Sequence, residues 1–410
     1  MIRPPRAPLG VRALNGLLGL VPAKPLNSAT LIDDARRKAG LRDFGPDGPF
    51  EDALSVLCDS LEQEASLTPL GRVLTRTMLT QGVAIQLQLQ DWIRRHPEIL
   101  ERPIEAPLVI IGMPRTGTSI LHELLALDPA NRCPLSWEVA YPFPPPESAT
   151  HDDDPRIARL ARELRISHYL MPGVENMHRM GATLPQECVS ITACVFVSMI
   201  YNTIFRLPSY TRWLGDGPDY SRVYAFHRRF LQYLQWRCPG ERWALKTPAH
   251  LWQLEALLAA YPDARLIQTH RDPLKTVSSL ASMLPTMRTA YARNVNPTEV
   301  ALEWSDNGAS ALNASLASRR AGVVTPAQVI DIQFGDFMHD PAAQVQRVYA
   351  HFGLRFSESF AAAIKRYIAE NPSDKHGGHR HRFEDTGLEV ARERLKVAHY
   401  QQYFAVSSEI

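Results

Sequence analysis

The feature that most constrains the fold is a short apolar run that ends in a glycine-containing turn. Residues 108–111 read Leu-Val-Ile-Ile, and Gly112, four further residues, Gly117, Thr118 and Ser119 follow. So short a run, rich in β-branched residues, suits a buried strand of a parallel sheet. The backbone N–H groups of such a turn, with the dipole of the next helix, form a site for a phosphate group. We therefore predict a strand, a phosphate loop and a helix here.

Later segments repeat this arrangement of a strand followed by a helix. Further strands are predicted at residues 243–245, 264–269 and 328–332. Strands that alternate with helices predict parallel βαβ units, and their ligands gather beyond the carboxyl ends of the strands. The predicted fold class is α/β, with a parallel sheet flanked by helices.

The chain before the first predicted strand has a helical pattern. Apolar residues recur at helical spacing from residue 29 to 96, and Pro103 and Pro107 end the pattern. We predict a helical N-terminal extension over residues 1–105 and an α/β domain over residues 106–410. A helical insertion is predicted within that domain at about residues 140–240, and its apolar stretch 189–205 is interpreted first as a buried core helix.

Charge and cysteine content limit the partners and the compartment. The 45 Lys and Arg residues nearly balance the 43 Asp and Glu residues, so a nucleic acid is not expected as a partner. The five cysteines are scattered without metal-binding spacing, which favours a reducing cytoplasm and predicts no metal site. Neither a signal peptide nor a transmembrane segment is expected, because the chain has no apolar run of about 18 residues.

The phosphate loop lacks the lysine of a nucleoside triphosphatase. Such a loop has Lys where Thr118 stands, and that lysine holds the β and γ phosphates. The cation of this loop is instead Arg115, which precedes the second glycine. A tight turn with an incidental arginine would explain the loop alone, so its interpretation depends on other segments.

Three further segments bring in cations and hydroxyl groups. Arg271 follows a predicted strand and Ser279 lies two helical turns later, so the two can grip one phosphate. Lys246 ends another predicted strand and precedes Pro248, which suits the start of a helix. The third segment is a glycine-centred basic loop that can close over phosphates or can simply be solvated; it comprises Lys375, His376, Gly377, Gly378, His379 and Arg380.

Together these residues resemble the sulfotransferase superfamily that uses 3′-phosphoadenosine 5′-phosphosulfate (PAPS), and more narrowly its bacterial branch similar to the tyrosylprotein sulfotransferases. The similarity spans about residues 107–388 and implies the P-loop-like parallel sheet of that fold. It implies that Arg271 and Ser279 hold the 3′-phosphate of the donor and that the basic loop covers it. The residues implied to bind the 5′-phosphosulfate are Arg115, Thr116, Gly117, Thr118 and Ser119. The product would be adenosine 3′,5′-bisphosphate (PAP).

The resemblance also implies a mechanism. Sulfuryl transfer is in-line, so fixed positive charge and positioning do most of the catalysis. We assign Arg115 and Lys246 to the sulfuryl oxygens and the leaving phosphate. The branch uses a glutamate base, which matches Glu138 in this sequence. Glu187 and His178 are rival bases, although a helix cap or a surface role is favoured for each.

The acceptor and the role of the extension stay open at this point. An apolar insertion on the acceptor side favours a small hydrophobic molecule with a hydroxyl group, either lipid-like or aromatic. Two alternatives remain, a P-loop kinase and a non-catalytic nucleotide- or lipid-binding protein. The extension can cover the acceptor cavity, pair two copies into a homodimer or touch a membrane, since residues 1–31 contain four basic and no acidic residues.

Overall fold

The centre of the fold is a parallel sheet of five strands. The structure, a computed structural model, describes residues 7–46, 48–371 and 381–410. The strands are β1 (Leu108–Gly112), β2 (Asn131–Arg132), β3 (Arg242–Lys246), β4 (Arg265–His270) and β5 (Val329–Gln333). They lie in the order β2-β3-β1-β4-β5, and all neighbours are parallel. The predicted α/β class is confirmed, and so are the four predicted strands; only the two-residue β2 was not predicted.

Helices surround the sheet and also precede it. Those before the sheet are α1 (Leu9–Leu18), α2 (Ser28–Ala39), α3 (Glu51–Glu64) and α4 (Pro69–Arg95). Between β1 and β3 lie α5 (Thr118–Leu125), α6 (Ser136–Ala140), α7 (Pro155–Leu170), α8 (Cys188–Thr192), α9 (Ile200–Ile204), α10 (Pro208–Asp216) and α11 (Tyr220–Gln235). The remaining helices are α12 (Leu254–Ala260), α13 (Pro273–Thr289), α14 (Pro297–Arg320), α15 (Phe334–His339), α16 (Pro341–His351), α17 (Glu358–Glu370) and α18 (Val390–Tyr403).

Strand β1 is buried on both faces, which explains why its sequence is apolar throughout. Val109 and Ile111 join the large core that also contains residues of α2, α3 and α4. Leu108 and Ile110 point to the opposite face, where α5, α16 and α17 pack. Alternate side chains of a strand point to opposite faces, so both faces must be covered. The helices of the N-terminal extension therefore share a core with the sheet.

The carboxyl ends of three strands meet at one edge of the sheet. Ile110 is in register with Lys246, and Gly112 is in register with Thr269. The chain visits β2 and β3 on one side of β1 and then β4 and β5 on the other. Ligands of open α/β sheets bind at such a reversal of strand order. The loop after β1 lies at this point.

The apolar stretch 189–205 is not the single core helix that the sequence suggested. It forms the short helices α8 and α9, and Phe196 between them has a left-handed backbone with φ of 62°. A non-glycine residue in that region ends a regular helix. The prediction of one helix is therefore wrong, and the break lets Ser190 and Ile200 face a cavity.

Among the described residues, no helix is both long enough and apolar enough to cross a membrane.

Candidate active site

The loop between β1 and α5 has a fixed shape that depends on two glycines. Gly112 and Gly117 have φ values of 144° and 87°, a region that other residues rarely adopt. The hydroxyl group of Thr116 donates to the carbonyl oxygen of Met113 at 2.7 Å and lies 2.6 Å from the hydroxyl oxygen of Thr269 on β4. Thr116 is buried and holds the loop against the sheet rather than facing a ligand.

The loop opens into a cavity of about 390 Å³. Of the eleven predicted site residues that the structure describes, eight lie on its wall. Those lining it are Arg115, Gly117, Thr118, Ser119, His178, Glu187, Lys246 and Arg271. Predicted cations from the ends of three strands thus converge on one space, as expected of parallel strands whose carboxyl ends share an edge.

Lys246 connects the phosphate loop to a carboxylate. Its side chain is buried, and its ammonium group donates to the Oγ of Ser119 at 3.2 Å and forms a short ion pair with Glu187. Burial opposes ionisation of Glu187, but the charge and hydrogen bond of Lys246 outweigh it and lower the pKa of that carboxyl. Glu187 is therefore ionised and able to accept a proton at neutral pH.

Arg115 lies on the other side of the loop from Lys246. Its backbone is left-handed, with φ of 70°. Its Nε donates to the Oγ of Ser279 at 3.1 Å, and its Nη1 donates to the carbonyl oxygen of Met177 at 2.8 Å. Burial, and then the charge of Arg271, lower the pKa of Arg115. Two neighbouring guanidinium groups in a half-buried site favour an anionic ligand.

Arg271 makes contacts along most of its guanidinium group. Its Nε and Nη2 donate to the carboxylate of Glu409 at 2.8 and 2.9 Å, and its Nη1 donates to the carbonyl oxygen of Arg115 at 3.0 Å. The guanidinium carbon lies 3.8 Å from the ring centroid of Phe334. Arg271 and Ser279 are thus joined through Arg115, since each contacts that residue.

Glu138, the first choice for the base, is in the wrong place for that role. Its side chain is fully buried on α6 outside the cavity and forms a double ion pair with Arg132. Its carboxylate also accepts hydrogen bonds from the amide of Leu135 at 2.8 Å and from Nε2 of His151 at 3.1 Å. With its lone pairs taken by these donors, Glu138 is a structural residue. The structure therefore argues against Glu138 as the base, because this buried residue lines neither this cavity nor the one that adjoins it.

The rival bases Glu187 and His178 do line the cavity. Glu187 precedes α8, as its predicted capping role required, but its side chain caps no backbone amide and is directed to Lys246 instead. Burial lowers the pKa of His178, so its imidazole is neutral at neutral pH. Of the three candidates, Glu187 alone combines a charged form, contact with a cation of the site and a position on the cavity wall.

A second cavity, of about 430 Å³, adjoins the first. The two share a boundary formed by Ser119, His178, Gln186, Glu187, Ser190, Ile200, Lys246 and Met287. Its outer wall comes from Met78, Gly82 and Ile85 of α4 and from Leu160 and Leu164 of α7. The carboxylate of Glu187 thus stands where the phosphate loop meets an apolar space bounded by the N-terminal extension.

The predicted covering loop, which comprises Lys375, His376, Gly377, Gly378, His379 and Arg380, lies outside the described residues. His381 follows it directly, and its Nδ1 lies 2.7 Å from the Oγ of Ser278. Ser278 precedes Ser279, so the described chain returns from this loop beside the arginine side of the site.

Two contacts that decide the roles of predicted site residues gave little signal in the sequence. Glu409 reaches Arg271 from 138 residues away, and no local pattern marks a lone glutamate near the carboxyl end. Arg132 precedes a proline-containing turn and looks like a surface charge, yet it neutralises Glu138. The helical pattern of residues 29–96 predicted a helix here, but not that Gly82 and Ile85 of α4 border a cavity.

Comparison with known proteins shows which family the chain matches. The profile of the sulfotransferase family matches residues 107–358. The omega-hydroxy-beta-dihydromenaquinone-9 sulfotransferase Stf3 of Mycobacterium bovis and of Mycobacterium tuberculosis is 26% identical over 290 residues, which is 66% of this chain and 69% of the relative.

Two solved structures resemble nearly the whole chain. The sulfotransferase STF9 of Mycobacterium avium is 28% identical with a TM-score of 0.85, and the match covers 94% of this chain and 98% of STF9. The sulfotransferase STF1 of Mycobacterium tuberculosis is 30% identical with a TM-score of 0.81, and the match covers 92% of this chain and 100% of STF1. The structural similarity therefore extends well beyond the residues that match the family profile.

Proposed function

Because the chain belongs to the sulfotransferase family, we propose that its two adjoining cavities bind PAPS and a hydrophobic acceptor and that Glu187 is the catalytic base. One contact carries this proposal. The ammonium group of Lys246 touches both Ser119 of the phosphate loop and the carboxylate of Glu187. A donor on the loop and an acceptor hydroxyl at the carboxylate would therefore face each other across Lys246.

The donor binds along the first cavity. Loop residues 112–119 and the start of α5 hold the 5′-phosphosulfate, with Thr118 and Ser119 presenting hydroxyl groups. Arg271 takes the 3′-phosphate, and Ser279 supports it through Arg115. Aromatic and apolar side chains near Arg271, such as Phe334 and Met338, offer a surface for the adenine.

The transfer of the sulfuryl group depends on the positions and charges of the residues around it. The acceptor oxygen attacks sulfur while the bond from sulfur to the bridging oxygen of the 5′-phosphate breaks, and PAP leaves. Lys246 and Arg115 stabilise the negative charge on the sulfuryl oxygens and the leaving phosphate. The carboxylate of Glu187 takes the proton of the hydroxyl group. The positive charge comes from these side chains, and the proposal includes no metal ion.

The acceptor places its hydroxyl group at Glu187 and its apolar body in the second cavity. Most of the phosphate loop lines the first cavity, and Ser119 borders both cavities. The second cavity has an apolar outer wall formed by residues of α4 and α7. Its size suits a lipid-like alcohol or a phenol. The name of the relative Stf3 also gives a lipid-like alcohol as its substrate. The helices before residue 106 then act as an extension that completes the acceptor site.

The protein works in a reducing compartment such as the cytoplasm. All five cysteines lie in the described residues as buried free thiols. Secreted proteins usually oxidise pairs of cysteines, whereas buried free thiols are typical of reducing compartments.

Acceptor-dependent release of PAP from labelled PAPS tests the proposal. We expect Glu187→Gln to bind PAP as the wild type does and to lose roughly a hundredfold or more in turnover. Normal turnover by Glu187→Gln would refute its role as the base and direct attention to His178. A kinase is the second candidate, and calorimetry with ATP and PAP distinguishes it. Tight ATP binding with no effect of a 3′-phosphate would overturn the assignment of the donor.

A further inference from the structure

Helix α1 presents its apolar face outwards. Val11 is buried against the protein, and Asn15 accepts a hydrogen bond from the amide of Leu70 at 2.9 Å. On the opposite side Leu9 is 78% exposed, Leu17 is 65% exposed, and Leu20, just after the helix, is 81% exposed. A surface helix of a globular protein normally shows the reverse pattern. Clustered exposed apolar side chains of this kind mark an interaction surface.

The outer face of α7 continues this surface. Arg159, Arg162, Ile166 and Tyr169 lie at successive spacings of three, four and three residues, so they form one stripe of the helix. Ile166 and Tyr169 are more than half exposed. The hydroxyl group of Tyr169 lies beside Gly10 of α1, where an added Cβ would be 2.7 Å from it. We call the exposed side chains of α1, its Leu20 and this stripe the α1–α7 surface.

The charged residues around the apolar side chains are mostly basic. Residues 7–32 contain Arg12 and Lys24 and no acidic residue. Helix α7 contains four arginines and one glutamate; Arg156 pairs with Asp154 and Arg159 with Glu163, so Arg162 and Arg165 supply most of its net positive charge. An apolar face bordered by arginines and a tyrosine is the composition of elements that lie in the interface of an anionic membrane.

The same charges argue against a second copy of the chain as the occupant. A twofold interface brings the same patch of both copies together, so it would gather the basic residues of both copies in one interface. Like charges in a desolvated interface are unfavourable. An anionic lipid surface instead neutralises them while it buries the leucines.

We propose that the α1–α7 surface docks the protein onto an anionic lipid bilayer, with Leu9, Leu17 and Leu20 at the boundary between headgroups and acyl chains. This docking is independent of the chemistry of the active site. One consequence does rest on the proposed function: the inner side of α7 supplies Leu160 and Leu164 to the second cavity. Docking would then bring that cavity close to the layer from which a lipid-like acceptor comes.

Co-sedimentation of the full chain with vesicles tests the proposal. The vesicles are phosphatidylcholine alone, or phosphatidylcholine with roughly 30% phosphatidylglycerol. We expect binding to the anionic vesicles and a loss of roughly tenfold or more in Leu17→Asp/Leu20→Asp, because two inserted leucines become charged. The matched control is Leu302→Asp/Leu395→Asp, which changes two exposed leucines on α14 and α18. It should bind as the wild type does.

Three results would overturn the proposal. The wild type can fail to bind the anionic vesicles, or Leu17→Asp/Leu20→Asp can bind them as tightly as the wild type does. A dimer that the two aspartates dissociate, without vesicle binding by the wild type, would make the surface an interface between copies. Release of PAP with a water-soluble phenol should be unchanged in both double variants, so a failure of docking is distinguishable from a failure of the transferase function.

Discussion

The carboxylate of Glu409 holds one edge of the guanidinium group of Arg271, with donor–acceptor distances of 2.8 Å from Nε and 2.9 Å from Nη2. A third N–H, on Nη1, is taken by the carbonyl oxygen of Arg115 at 3.0 Å. A guanidinium group has five N–H donors. Two N–H donors of Arg271 therefore remain for a ligand, on the side of the guanidinium group that does not face Glu409.

Glu409 should therefore position Arg271 for the 3′-phosphate. We expect Glu409→Ala to weaken the binding of PAP by roughly tenfold, because the guanidinium loses its fixed orientation. Binding of adenosine 5′-monophosphate, which lacks the 3′-phosphate, should be unchanged. Calorimetry with both nucleotides measures this, and Ser408→Ala is the control at the neighbouring residue. Tighter binding of PAP by Glu409→Ala would mean that the carboxylate competes with the phosphate.

Removing Lys246 should change both turnover and its pH dependence. Lys246→Met should lower kcat by roughly a hundredfold to a thousandfold, because a preorganised cation is lost. In the wild type Lys246 holds the pKa of Glu187 below the usual 4.5, with smaller contributions from His178 and His122. Burial raises the pKa of Glu187, and without Lys246 less remains to offset that effect, so the pKa should rise.

The pH profile of kcat/KM checks this second effect. Its acid limb should move to higher pH in Lys246→Met, since the base then takes up a proton at a higher pH. A loss of kcat with an unmoved acid limb would mean that Glu187 is not the group that titrates. Arg115→Met is the matched cation variant, and its acid limb should move much less, because Arg115 is not among the groups with the largest effects on the pKa of Glu187.

Glu138 should matter for stability rather than for turnover. Glu138→Gln leaves the guanidinium of Arg132 buried without a counterion, so we expect a loss of about 3–5 kcal/mol in the free energy of unfolding. Urea unfolding at neutral pH measures it. The folded fraction of Glu138→Gln should bind PAP as the wild type does. Arg132→Met/Glu138→Leu removes both charges and should recover most of the loss.

The same pair predicts a pH dependence of stability. Burial opposes ionisation of Glu138, but the charge of Arg132 and the hydrogen bonds of His151 and Arg132 outweigh it and hold the pKa below the usual 4.5. The stabilisation is therefore present above the unfolded-state pKa and is lost as the pH falls through the folded-state pKa. The stability difference between the wild type and Glu138→Gln should accordingly shrink in acid. A difference that does not change with pH would contradict this account.

The sequence predicted those parts of the site that depend on local patterns better than those that depend on contacts between distant residues. The strand at 108–111 and the loop up to Ser119 are local patterns, and the structure has them where the sequence indicated. The convergence of Lys246 and Arg271 followed from parallel strands, whose carboxyl ends share an edge.

The choice between Glu138 and Glu187 needed contacts that no local pattern reveals. Both residues lie at the start of short helices in apolar surroundings. Arg132 neutralises one of them, and Lys246, 59 residues further along the chain, pairs with the other. The break of 189–205 at Phe196 was equally hidden, because a continuous apolar run fits a helix as well as it fits a folded-back segment.

The second cavity should set which acceptors are used. Leu164→Trp adds volume to its wall on α7, so we expect kcat/KM for a long-chain alcohol such as dodecanol to fall by roughly tenfold or more. Phenol, which needs little of that space, should be converted almost as before. Met283→Trp narrows only the first cavity and is the matched variant. Labelled PAPS with each acceptor measures all four combinations. Equal losses for dodecanol and phenol in Leu164→Trp, or a selective loss for dodecanol in Met283→Trp, would move the acceptor chain out of the second cavity.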